Sequence, residues 1–140
     1  MPGNSEAEAA RRRWASTAQE YLVALTERVS HLRKLFKTEL ETPLEADDAV
    51  ASQVVSACDS LRGWLSSSHA PRGFAKAGAE LGAVAGAYRN AAVAFRSLAD
   101  VDGQQQRARS AACAKLLKQG DHHVEIFTGA LAKKLSHGVS

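Results

Sequence analysis

The chain has 140 residues, a formal net charge of +3 and 45% hydrophobic residues, and 27 of those 63 are alanine against ten valines and one isoleucine. Alanine favours helices and β-branched residues favour strands, so this balance excludes a β-sandwich or barrel and indicates an all-α protein. No run of about 18 apolar residues is present, which gives no expectation of a membrane span.

The polar opening Met1–Glu6 does not read as an export signal. Cys58 and Cys113 match no Cys-x-x-Cys or zinc-ribbon spacing. Together these lead to the expectation of a cytoplasmic protein with reduced, buried thiols. The alanine-rich, isoleucine-poor style is that of a high-GC bacterium.

Four amphipathic segments follow. In the first, Ser5 and Glu8 have the spacing of a capping box. Ala18, Leu22, Leu25, Val29, Leu32, Phe36 and Leu40 then step by fours and threes, with Tyr21 and Leu35 widening the stripe. This predicts a helix over 6–40. Thr42-Pro43-Leu44-Glu45 is a second start signal, because proline fits a first helical turn. The second stripe is Val50, Val54, Ala57 or Cys58, Leu61 and Leu65, with Trp64 beside it, and Ser66–Gly73 reads as a loop.

The third segment carries Phe74, Ala77, Leu81, Val84, Tyr88, Ala91, Phe95 and Leu98 in one phase and ends at the turn Asp100–Gly103. In the fourth, Cys113, Leu116, Gly120, Val124, Phe127, Leu131 and Leu135 hold one phase across Gly120-Asp121. An unbroken stripe predicts one long helix, kinked at most at Gly120. Amphipathic segments with short connections fold as an antiparallel up-down-up-down four-helix bundle, here a single domain over 1–140 with 1–5 and 137–140 fraying. Residues 41–70 carry one basic and five acidic side chains, net −4, so the second helix should lie between basic neighbours.

The most unusual stretch is 73–87. Gly78, Gly82 and Gly86 recur every four residues beside the small ridge Ala75, Ala79 and Ala83. Each interior glycine costs about 1 kcal/mol relative to alanine, and close approach of another backbone is a natural compensation. Only Lys76 and Glu80 are charged between Gly73 and Tyr88. A helix so poor in charge is expected to be covered on more than one side, and a twofold mate is the simplest cover. Gly78, Gly82, Gly86, Ala75, Ala79 and Ala83 are therefore the candidate partner interface. Ile126, on the outer side of the fourth segment, adds to that expectation.

Other chemistries find less support. The glycines match neither a Walker loop nor a dinucleotide fingerprint. Glu27 and His31 point outward at about 100° per residue, and of His122, His123 and Glu125 only His123 borders the apolar stripe, so no metal site is expected. Ser66–Ser68 and His69 lack a nucleophile elbow or a positioned acid. The sequence is therefore read as non-enzymatic, with no cofactor and no small-molecule substrate. The alternative is a nucleic-acid or anion-binding accessory protein using Arg11, Arg12, Arg13, Arg107, Lys115, Lys118 and Lys133. A third class is a ligand-sensing or metal-binding bundle.

Overall fold

A computed structural model describes the backbone of residues 2–37, 44–101 and 103–139, and the side chains of 6–35, 48–98, 101 and 103–135. The architecture is all-α: α1 is Pro2–Lys37, α2 is Leu44–Ser67, α3 is Ala75–Arg96 and α4 is Gly103–Val139, with a short 3-10 helix, Ser97–Asp100, closing α3. The helices pack as a four-helix bundle. At 1.5 Å per residue the 36 residues of α1 make a rod roughly 54 Å long.

Helical backbone extends into both terminal segments expected to fray. Because α1 is already helical at Pro2, the Ser5–Glu8 capping box falls inside the helix and cannot mark its start. Thr42 and Pro43, read as the start signal of the second helix, lie outside the described residues, as do the Phe36 side chain and Leu40. The turn before α3 uses Gly73 at φ 95°, a left-handed conformation that a side chain would resist, and Phe74 N–H then bonds back to the Pro71 carbonyl at 2.9 Å. Gly103, at φ 58°, opens α4 in the same way. The fourth helix runs without interruption through Gly120-Asp121, as its unbroken stripe predicts.

Neighbouring helices show their direction through paired residues. Arg96 and Arg89 of α3 meet Asp48 and Asp59 of α2. Glu80 and Ala91 of α3, and Ser97 of the 3-10 helix that closes it, meet His123, Cys113 and Arg109 of α4. One number falls as the other rises in both sets, so α2–α3 and α3–α4 are antiparallel. α1 lays Trp14 on Trp64 and Phe74 and brings Arg33 to Asp121, as an up-down-up-down order requires.

The core follows the predicted stripes closely. All eight apolar positions of the third segment are buried, together with Ala85 and Ala92. In α1, Ala18, Leu22, Leu25, Val29 and Leu32 are buried, and in α2 Val54, Cys58 and Leu61. Three departures are informative. Leu117 is buried more deeply than Leu116, Ala51 joins the core, and Trp14 is buried although it follows three arginines.

Trp14 belongs to an aromatic cluster at one end of the bundle. Its ring stacks on Phe74 at 5.6 Å and meets Trp64 at 5.5 Å, and Trp64 stacks in turn on Tyr21 at 5.3 Å. Offset ring pairs of this kind contribute about 0.5–1.5 kcal/mol each beyond their burial. They help offset the Trp14 indole N–H, which is buried with no acceptor among the described residues.

Small side chains decide which helices come closest. α3 turns Ala77, Ala85, Ala91 and Ala92 inward, and α4 answers with Cys113 and Gly120. Contact between α3 and α4 is accordingly the most extensive in the bundle, and α1 packs mainly on α2. The close glycine is Gly120: a Cβ there would stand within 3 Å of three carbons of the Tyr88 ring.

Candidate interaction surface

At about 100° per residue, Ala75, Ala79, Gly82, Ala83, Gly86, Asn90 and Val93 fall within one arc of α3, opposite Leu81 and Tyr88. All are exposed or half-exposed, and Val93 is 46% exposed, a large apolar side chain in water. The arc contains no charged residue. Lys76 and Glu80 stand on its α4 flank, and Arg89 and Arg96 on its α2 flank.

Three of those flanking side chains, Glu80, Arg89 and Arg96, are turned sideways into the bundle, while Lys76 is exposed. Arg89 Nε donates to Asp59 at 3.0 Å and Arg96 Nε to Asp48 at 2.8 Å, and His123 Nδ1 lies 2.7 Å from Glu80 Oε2. Two acidic side chains of the second helix are thus paired with arginines of α3, on one of the two flanks where its net −4 predicts basic neighbours. Exposed pairs of this type add only about 0.2–1 kcal/mol each, so their larger effect is to fix register and leave the α3 stripe uncharged.

Among the described residues, nothing fills the stripe at Gly82 and Gly86 at close range. A Cβ at Gly86 would meet no atom within 4 Å, and one at Gly82 only the Leu65 side chain at 4.0 Å. At Gly78 the neighbours are the Trp14 ring at 3.6 Å and Ala70 at 3.8 Å, which is ordinary contact. Beside the stripe, Ser52, Val55, Ser56, Asp59, Ser60 and Arg96 line an open hollow of about 530 Å³.

The remaining candidates separate. Trp14 and Phe74 place Arg11–Arg13 at the end of the bundle where Lys134 Nζ comes within 3.9 Å of where a Gly73 Cβ would stand. Lys133 shares that end. Arg107 sits in the first turns of α4, near the opposite end, and Lys115 and Lys118 lie between, so these seven cations form no single patch. Glu27, His31, His122 and Glu125 are exposed. Among the described residues, no three His, Cys, Asp or Glu side chains gather closely enough to hold a metal ion. Ser67 and His69 are exposed, and Ser67 donates to the Trp64 carbonyl.

One polar cluster was not legible in the chain order. Tyr88 Oη donates to Asp121 Oδ1 at 2.6 Å, and Arg33 Nη2 donates to the same oxygen. Burial raises the Tyr88 phenol pKa above its ordinary value, and the Asp121 hydrogen bond and charge raise it further. Burial disfavours the Arg33 cation, but the bond to Asp121 and its charge outweigh this and hold the guanidinium above its usual value. The cluster ties α1, α3 and α4 together. The signal for it was the aspartate following Gly120, at the edge of the buried stripe of an unbroken helix.

Both cysteines are buried. Cys113 Sγ donates to the Ala91 carbonyl at 3.4 Å. The Cys58 thiol is pushed up to about 12 by burial and by the neighbouring Asp59 carboxylate. Such thiols are poor nucleophiles. Among the described residues, no helix is long and apolar enough to cross a membrane. No family model, curated protein or solved structure matches this chain.

Proposed function

We propose that the chain is a non-enzymatic helical bundle that works through protein–protein association, and that its partner is a second copy docking on the outward face of α3. One observation carries the reading: the stripe from Ala75 to Val93 is uncharged, small and open, while Arg89, Arg96 and Glu80 on its flanks are held by α2 and α4. A twofold axis would set this stripe against itself with no like charges opposed, and the missing side chains at Gly82 and Gly86 would let the two backbones approach. The 22 residues of α3 give a strip roughly 33 Å long, so a stable contact would also need the hollow beside Ser52 and Val55. The buried thiols of Cys58 and Cys113 support a reducing compartment such as the cytoplasm.

Sedimentation equilibrium tests the proposal. The native chain should show a concentration-dependent dimer mass. Ala79→Glu and Gly86→Leu, both at positions with room in the single chain, should give monomers that keep the native circular dichroism. A monomer mass at every concentration, or a dimer indifferent to both variants, would overturn the reading.

A second reading, polyanion binding, has one arrangement in its favour. The fold gathers Arg11–Arg13 and Lys133 at the same end of the bundle, where Lys134 also lies. Binding of generic DNA there should weaken steeply with salt. Arg12→Gln with Lys133→Gln should reduce that slope, and unchanged binding would count against this reading.

A further inference from the structure

The groove between α1 and α2 has a chemistry that the association reading does not use. It is about 300 Å³ in volume and is lined by Tyr21, Ala24 and Arg28 of α1 and Gln53, Ser56, Ala57 and Ser60 of α2. The α1 residues are spaced by three and four, and Gln53, Ala57 and Ser60 by four and three. Antiparallel neighbours with those spacings bring Arg28 beside Gln53, Ala24 beside Ala57 and Tyr21 beside Ser60, over roughly 10 Å of helix. The groove is therefore graded. It has a guanidinium and an amide at one end, a waist of two methyl groups, and a phenol with a hydroxyl at the other end. Among the described residues no carboxylate lines it, so none of them neutralises the Arg28 charge from within. Ser56 and Ser60 separate it from the hollow on the α3 side, which shares them.

We propose that this groove binds a small amphipathic organic carboxylate. The carboxylate accepts hydrogen bonds from Arg28 and Gln53, where a planar guanidinium offers two parallel donors. A short apolar body crosses the Ala24–Ala57 waist and ends against the Tyr21 ring. The volume stands at the small end of the range for ligand sites, which sets the size class. Tyr21 stacks on Trp64 at 5.3 Å, so occupancy changes the environment of a natural fluorophore.

Hydrocinnamate is a suitable probe, titrated against the full chain while tryptophan fluorescence is followed, with calorimetry for stoichiometry. The expected result is saturable binding at one site per chain, weakened about tenfold or more in Arg28→Gln and abolished in Ala24→Leu, which fills the waist. Arg28 and Ala24 are exposed, so both variants should fold, and their melting curves check this. Arg62→Gln, an exposed arginine outside the groove, should bind like the native chain, and the uncharged hydrocinnamyl alcohol should bind more weakly than the acid. The absence of saturable binding at millimolar hydrocinnamate, or equal affinity in Arg28→Gln, would overturn the proposal.

Discussion

The ring of Tyr88 lies against the backbone of Gly120 where any side chain on α4 would intrude on it, and its hydroxyl reaches the carboxylate of the very next residue, Asp121. One tyrosine thus sets both the spacing of α3 and α4 and their register. In an unconstrained helix, Gly→Ala gains about 1 kcal/mol. At Gly120 the added methyl meets a fully buried ring with nowhere to go. We expect Gly120→Ala to destabilise the fold by about 1–3 kcal/mol in chemical denaturation, since overpacking outweighs propensity. Pairing it with Tyr88→Leu should recover part of the loss, because the double variant removes the clash along with the ring.

Removing only the hydroxyl isolates the other half of the relationship. Tyr88→Phe keeps the packing and leaves Asp121 bonded to Arg33. The Asp121 side chain is 41% exposed, so water can replace the lost donor. The expected cost is about 1 kcal/mol in urea denaturation.

At alkaline pH the buried acids become the weak points. The Cys58 thiol has an ordinary value of 9.0 and is pushed up to about 12 in the fold, and the Tyr88 phenol is raised above 10.0. In both cases the unfolded chain releases its proton first. Stability from these groups is therefore complete below about pH 9 and falls as pH rises through the window from 9 towards 12. The slope contributed by one such group approaches about 1.4 kcal/mol per pH unit. Cys58→Ala should lower stability at neutral pH by loss of packing, yet show a shallower decline from pH 9 upward than the native chain. Identical slopes would show that Cys58 does not contribute.

Gly63 and Gly129 provide the converse of Gly120. Both lie inside helices, both are exposed, and a Cβ at either would meet nothing within 4 Å. Gly63→Ala and Gly129→Ala should each raise the stability of the single chain by about 0.5–1 kcal/mol, read as a higher midpoint in thermal or urea unfolding. Neither position is in the α3 stripe, so the oligomeric mass should stay that of the native chain.

The glycines and the polar side chains separate what is local from what is not. Period and punctuation along the chain were sufficient to place four amphipathic segments, the eight core positions from Phe74 to Leu98 and the continuity of the fourth helix, because burying one face of a helix imposes a repeat that can be counted in one dimension. The Ser5 capping box misled for the same reason: a local signal marks a helix start only where the preceding residues are not themselves helical, and Pro2–Asn4 are.

What a single glycine or charge does depends on which atoms of a distant segment come to it, and no repeat encodes that. Gly78, Gly82 and Gly86 stood out by their regularity, yet within the chain it is the solitary Gly120 that permits a close approach, because the large ring opposite it belongs to a residue 32 positions earlier. Likewise Arg33, Tyr88 and Asp121 are unrelated until three helices are laid side by side. The sequence determined which face of each helix turns inward; only the packed structure decided which side chains, from which helices, meet there.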